Sequence, residues 1–187
     1  MDNGVGQRDR WNARYQAGAE GGTPLMLGRN LHYFPRSGRA IDVAGGPGQA
    51  AVILAARGLD VTLTDISEVA LDMAAERAEW SRIELGLVNI DLTIEPLPEG
   101  PWDLITCFNY LDRALFPAMI EELADGGMLA VSLATRTNLE RHERPGAAYL
   151  LDDGELPSLL GELSPILYQE GWSLDGRHTA EAIARKI

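Results

Sequence analysis

The sequence predicts an α/β fold: a single doubly wound, mostly parallel sheet of seven strands that ends with an antiparallel C-terminal strand. Three observations predict it. From residue 40 onward, short apolar runs alternate with single helical segments, a pattern that demands right-handed crossovers and parallel pairing. The first run, Ala40 to Val43, leads into the turn Ala44-Gly45-Gly46-Pro47-Gly48, and the second, Val61 to Thr64, ends on Asp65. The tail places Asp175-Gly176 between two strand-like segments, and Asp-Gly in a short connection favours a hairpin.

The elements follow in order. Residues 8 to 16 hold Trp11 and Tyr15 at i, i+4, which suits a short amphipathic helix. Gly18 to Pro24 reads as a flexible break, and Leu25 to Phe34 as a second helix stopped before Pro35. Strand one covers about Ala40 to Val43. The alanine-rich stretch Gln49 to Arg57 is a helix closed by Gly58. Strand two is Val61 to Thr64, and Ser67 caps a helix running to about Trp80. Strand three lies within Ile83 to Ile90, and Trp102 to Phe108 is strand four. A helix from about Leu115 to Ala124 is closed by Asp125-Gly126-Gly127, before strand five at Met128 to Ala134. Pro165 to Trp172 and Arg177 to Ile187 form the terminal hairpin.

Size and composition narrow the function. A chain of 187 residues with 45% apolar content fits one domain with a real core, here 1–187, with 1–38 as an N-terminal helical segment. The formal charge of −12 argues against a grip on nucleic acid phosphates. A single cysteine, Cys107, forms no internal disulfide and suits a reducing, cytoplasmic home. Met1-Asp2-Asn3-Gly4 carries no leader pattern, and no apolar run is long enough to span a membrane. The three histidines are scattered without metal-ligand spacing, so no metal is expected.

A glycine turn after one strand and an acid at the tip of the next is how an open α/β sheet holds a nucleoside. Glycine lets backbone approach the ligand, and the acid accepts from ribose hydroxyls. Gly46-Pro47-Gly48-Gln49-Ala50-Ala51 fits G-x-G-x-x-A, the dinucleotide fingerprint, so a nicotinamide dinucleotide oxidoreductase is one reading. That reading leaves Asp42 unexplained, since a carboxylate at the strand end gains nothing from a pyrophosphate.

The run Asp42-Val43-Ala44-Gly45-Gly46-Pro47-Gly48 resembles the first motif of the class I S-adenosylmethionine (SAM) methyltransferases, acid-x-G-x-G-x-G, with alanine in the first glycine place. The resemblance continues in order. Asp65-Ile66 matches the ribose acid and its apolar neighbour against adenine. Asp91, followed by Leu92, matches the acid that accepts from the adenine amino group. Trp102 to Ile105 with Phe108-Asn109-Tyr110 matches the strand whose end reaches the methyl-transfer site, and Asp125 to Leu129 matches the turn before strand five. It implies a Rossmann-like methyltransferase fold with SAM as cofactor, held by Asp42, Ala44, Gly45, Gly46, Gly48, Asp65, Ile66, Asp91, Leu92 and Asn109. Within the superfamily, Arg10 to Tyr15 and Asn109 to Arg113 are similar to small bacterial methyltransferases of the tellurite-resistance and thiopurine types. By that resemblance Trp11 or Tyr15 shields the methionine end of the cofactor; ordinary helix packing on the sheet is the alternative.

Methyl transfer from a sulfonium is an in-line displacement that chiefly needs alignment and exclusion of water, so no fixed catalytic motif is required. Asn109-Tyr110 is not the Asn/Asp-Pro-Pro-aromatic motif of amino-group methylation. The candidates for direct roles are Tyr110, against an aromatic acceptor or as pocket wall, and His142, as a base or as a solvated loop residue. Thr135 to Tyr149 reads as a long connection, and its Arg136, Arg141 and Arg144 could draw an anionic small molecule. Two readings stay beside methyl transfer: the dinucleotide oxidoreductase, and a methyltransferase-like protein that binds SAM or S-adenosylhomocysteine (SAH) without transferring anything.

Overall fold

The computed structural model describes residues 6–22 and 25–187. Met1-Asp2-Asn3-Gly4, where no leader pattern is expected, and Thr23-Pro24, the end of the expected break, lie outside the described residues. The chain divides into two compact units, Met1–Pro96 and Leu97–Ile187. Seven strands supply the mixed sheet, three from the first unit and four from the second.

In the first unit, β1 (Arg39–Val43), β2 (Asp60–Asp65) and β3 (Gly86–Asn89) pair in parallel in the order β3-β2-β1. Ala40, Ile41, Val43, Val61 and Leu63 are all buried, the near-continuous apolar run of strands covered on both faces. Asp42 sits opposite Leu63, and Asp65 opposite Asn89. The register therefore brings Asp42, Asp65 and Asn89 to the carboxyl ends of neighbouring strands, where open α/β sheets take ligands.

Among the described residues of this unit are the helices α1 (Gln7–Gln16), α2 (Leu25–Asn30), α3 (Gln49–Ala56) and α4 (Glu68–Ser81). Ser67 caps α4 as the sequence predicts, its Oγ accepting from the Ala70 N–H at 3.1 Å. The expected helix from Leu25 to Phe34 instead changes at Asn30 into a 3₁₀ turn, Leu31–Tyr33. The Asn30 side chain donates to the Met26 carbonyl at 2.9 Å, the local competition for backbone that makes asparagine a poor interior helix residue.

In the second unit, β4 (Trp102–Phe108), β5 (Leu123–Ala134), β6 (Ser164–Trp172) and β7 (His178–Arg185) are ordered β4-β5-β7-β6. β4 and β5 are parallel, and β7 runs antiparallel to both its neighbours, as the expected terminal hairpin requires. α5 (Leu115–Glu121) and α6 (Leu156–Leu159) complete the helices.

One sequence expectation is corrected here. Strand five begins at Leu123, not Met128, and the helix before it stops at Glu121. Asp125-Gly126-Gly127 is an irregularity inside the strand: Leu123 pairs with Trp102 and the next pair is Leu104 with Met128. The Gly126 N–H donates to the Lys186 carbonyl and the Lys186 N–H to that of Gly127, so β5 stays tied to the chain's end across the bulge. The long connection from Thr135 to Tyr149 is present as expected. It folds into two 3₁₀ turns, Arg136–Glu140 and Ala147–Tyr149, and Thr135 bridges to Leu151.

Candidate functional site

In the first unit the candidate residues gather on the glycine turn. Thr64 of β2 binds it at the root: the Gly45 N–H donates to the Thr64 carbonyl at 3.0 Å and the Ala44 N–H to its hydroxyl at 3.3 Å. Arg77 of α4 donates to the Pro47 carbonyl at 3.0 Å. Gln49, at the start of α3, donates to the Glu20 carbonyl and so ties the segment after α1 to the same turn. The Asp42 carboxylate is buried directly beneath the turn, since a Cβ on Gly45 would lie 2.5 Å from its Oδ2.

Asp65 is the centre of this arrangement. Its Oδ2 accepts from the Gly46 N–H at 2.9 Å and its Oδ1 from the Ser67 N–H at 2.8 Å. Burial pushes its carboxyl above the usual range, and the backbone N–H bonds from Ser67, Gly46 and Ile66 oppose that rise. The residue expected to meet a ribose is therefore also the clasp that shapes the turn. Two oxygens offer about four acceptor positions, so bonds to Gly46 and Ser67 leave room for ligand hydroxyls.

α1 lies against the same place. Gln7, Trp11 and Tyr15 form its half-buried stripe at i, i+4, i+8, with Asn12 beside it. Trp11 and Tyr15 stack with ring centroids 5.8 Å apart, and the Arg14 guanidinium lies 5.1 Å from the Trp11 ring. The Tyr15 hydroxyl reaches Gly46, where an added Cβ would meet it at 2.8 Å. Burial, then the nearby Asp65 charge, push the Tyr15 phenol up to about 12, so it stays a neutral donor at physiological pH. Asn12 Oδ1 accepts from the Ser67 hydroxyl at 2.6 Å, joining α1 to the α4 cap. Asn12→Ala should loosen α1 while leaving the rest folded; a drop in SAH affinity with an unchanged urea midpoint would show the helix acting on ligand rather than on stability.

Beyond β3 the Ile90 N–H donates to the Asp65 carbonyl, which leads the chain from the β2 tip to half-buried Asp91 and Leu92. Asp91 Oδ1 accepts from the Thr93 N–H at 3.0 Å and its hydroxyl at 2.6 Å, so one oxygen closes a local turn. Ile66 is half-buried, and Asn89 Nδ2 donates to its carbonyl at 3.0 Å. Sequence reasoning missed Asn12, Thr64, Arg77 and Asn89. Only pairing register and helix placement bring them to the turn, though the β-strand tip position of Asn89 was a usable signal.

The second unit holds the other candidates. Asn109 follows β4 in the left-handed region, φ 60°, and its Oδ1 accepts from Arg177 Nη1 at 3.0 Å. Arg177 also pairs with Asp175 at 3.2 Å. Tyr110 is half-buried, and its carbonyl accepts from the Cys107 thiol at 3.3 Å. His142 is half-buried too: Nε2 lies 2.7 Å from the Gly176 carbonyl, which only accepts, so Nε2 is the donor in that bond. Of the three arginines after β5, Arg136 pairs with Asp152, Arg141 stacks on Trp172 at 3.8 Å, and exposed Arg144 gives its carbonyl to Asn138 at 3.2 Å. Arg113, beside the β4 end, makes a forked bond to Glu155, holding that carboxyl below its usual range.

Residues 40–127 match a family model described as a methyltransferase domain. A curated relative, the ubiquinone biosynthesis O-methyltransferase of Psychrobacter arcticus, is 31% identical over 106 residues, covering 52% of this chain and 41% of that protein. The chain thus spans less than half the length of the curated relative it matches. Among solved structures, TehB from Haemophilus influenzae superposes with a TM-score of 0.72 at 18% identity, over 96% of this chain and 67% of that one. Magnesium protoporphyrin IX methyltransferase from Synechocystis, solved with bound SAH, superposes with a TM-score of 0.70 at 19% identity, over 96% and 97%. At these identities the structural likenesses establish a shared fold.

Proposed function

We propose that this chain, whose residues 40–127 form a methyltransferase domain on a class I SAM-dependent methyltransferase fold, binds SAM and transfers its methyl group to a small molecule. The observation that carries the reading is a pair of buried carboxylates, Asp42 and Asp65, set against the glycine turn. A ligand there must bring hydroxyl donors and positive charge. The ribose diol and the methionine ammonium of SAM supply both; a dinucleotide pyrophosphate would meet like charge.

In this reading Asp65 takes the ribose hydroxyls, Asp42 the ammonium, and Gly46 and Gly48 let the backbone come close. Ile66 and Leu92 flank the adenine, and Asp91 accepts from its amino group. Trp11 and Tyr15 close over the turn and keep water out. SAM supplies an electrophilic methyl group on its sulfonium. Asn109 and Tyr110 stand at the strand end where an acceptor would be aligned, and His142 in its neutral form, donating through Nε2, gives a base at Nδ1 for an acceptor that must lose a proton. We take residues 1–187 as one functional domain working in a reducing cytoplasm. No helix among the described residues is long and apolar enough to cross a membrane.

The deciding experiment is calorimetric titration with SAM, SAH and NADH in parallel. Micromolar binding of the first two without NADH is the expected result; binding of NADH alone would overturn the assignment. For the acceptor we favour an anionic small molecule, because Arg141 and Arg144 are exposed in the stretch between the two 3₁₀ turns after β5. Replacing both with alanine should raise KM for an anionic acceptor several-fold and leave SAH affinity unchanged. A fall in SAH affinity instead would remove that segment from the acceptor side.

A further inference from the structure

We propose that Asp153, Glu170 and His178 bind one divalent transition-metal cation of the zinc or manganese kind, apart from the methyl-transfer site and independent of it. One donor atom from each residue lies within 4.8 Å of those of the other two. Ligand atoms around a zinc ion at about 2.0 to 2.2 Å stand roughly 3 to 4.4 Å apart, so small rotations complete the set. Two carboxylate oxygens and an imidazole nitrogen are a donor set that suits Zn²⁺ or Mn²⁺ better than the all-oxygen shells of Ca²⁺ and Mg²⁺.

The fold delivers the three from separate segments. Trp172 of β6 pairs directly with His178 of β7. Glu170, two residues earlier, points to the same face as Trp172 and is thus a diagonal neighbour of His178. Asp153 arrives from the turn after Leu151, which the Thr135 bridge fixes beside β5. Among the described residues no lysine or arginine forms an ion pair with Asp153 or Glu170, and Arg136 is engaged by Asp152.

Each donor is also held in place by a second partner, as metal ligands are. Asp153 accepts from the Thr137 hydroxyl at 2.7 Å, and Glu170 accepts from the Gly154 N–H at 3.0 Å and the Tyr168 hydroxyl at 2.7 Å. His178 Nδ1 lies 2.7 Å from the Thr135 hydroxyl. These bonds use part of each carboxylate's capacity and orient what remains. A cation here would join the turn at Asp153 to both strands of the hairpin whose tip carries Gly176 and Arg177, the partners of His142 and Asn109.

The test uses the untagged full chain, stripped with chelator and titrated with Zn²⁺, Mn²⁺ and Mg²⁺ by calorimetry, with metal content measured after gel filtration. One Zn²⁺ per chain is expected, with weaker Mn²⁺ and negligible Mg²⁺ binding. Asp153→Asn and Glu170→Gln should each weaken Zn²⁺ binding by about tenfold or more while the circular dichroism spectrum stays unchanged. His178→Ala should abolish it, with His32→Ala as the control that keeps it. If His178→Ala fails to fold, the variant at exposed Asp153 decides. A wild-type chain without stoichiometric Zn²⁺, wild-type affinity in the Asp153 and Glu170 variants, or preference for Mg²⁺ would each overturn the site. None of these outcomes touches the SAH titration, so the two readings stand or fall separately.

Discussion

Asp65→Ala is expected to lose both stability and cofactor, because one carboxylate does two jobs. The Gly46 and Ser67 N–H groups that it accepts are left without their buried partner, at about 1 to 3 kcal/mol each. Loss of hydrogen bonds from ribose hydroxyls to a charged group removes about 1.5 to 3 kcal/mol of binding, or at least tenfold in SAH affinity. Urea unfolding reads the first effect and calorimetry on the folded variant reads the second. Unchanged SAH affinity in a folded Asp65→Ala chain would remove the ribose assignment; an unchanged urea midpoint would remove the clasp. The pH dependence has a definite sign. Burial raises the Asp65 carboxyl, so its contribution to stability is full below the ordinary value of 3.8 and is lost as pH rises through the raised folded value. Ionisation of the buried Asp65 carboxyl therefore lowers stability relative to its protonated form, while the clasp bonds to Gly46 and Ser67 remain. A ligand that donates to the carboxylate favours the ionised form, so SAH affinity should fall as pH drops through that same raised value.

What the sequence discloses and what it conceals divide along local and non-local lines. Asp42, the glycines, Asp65 and Asp91 are legible because each lies at or just beyond the end of a strand that the sequence marks, and strand tips are where this sheet type binds. Ser67 is legible as a cap because capping is settled within three residues. Asn30 and the Asp125-Gly126-Gly127 stretch are misread for the opposite reason. The helix to Phe34 fails through a side chain turning back on Met26, and Gly126 serves a bulge held by Lys186, far along the chain. The role of Asp65 as clasp needs the β2 tip to meet the turn, and the Asn12 contact needs α1 to fold onto α4. The cluster of Asp153, Glu170 and His178 has no spacing to betray it. Hairpin register makes neighbours of Glu170 and His178, and only the bridge at Thr135 adds Asp153.

Gly48→Ala and Ala44→Gly should move stability in opposite directions, although both positions are left-handed residues of one turn. Gly48 has φ 78° and caps α3; an added Cβ would sit 2.9 Å from the Ala74 Cβ and 3.3 Å from the Ala74 Cα of α4. The left-handed conformation costs an alanine about 1 to 2 kcal/mol, and overpacking against a helix backbone adds about 1 to 3. Gly48→Ala should therefore destabilise the chain by about 2 to 5 kcal/mol and, by displacing the first turn of α3 from the ligand, weaken SAH binding as well. Ala44 has φ 51° and already carries the side chain that Gly48 cannot. Its strain is of the same 1 to 2 kcal/mol order, so roughly that much is relieved in Ala44→Gly, less about 0.4 to 1 kcal/mol for the freer unfolded chain. The net should be a small gain in the urea midpoint, with SAH affinity kept because the backbone of the turn is unchanged. If Gly48→Ala matched the wild type in stability, α4 could not be packed against the turn as described. If Ala44→Gly destabilised the chain, the alanine would have to be fixing the turn through its methyl group, and the departure from the glycine pattern would be a feature of this site rather than a tolerated strain.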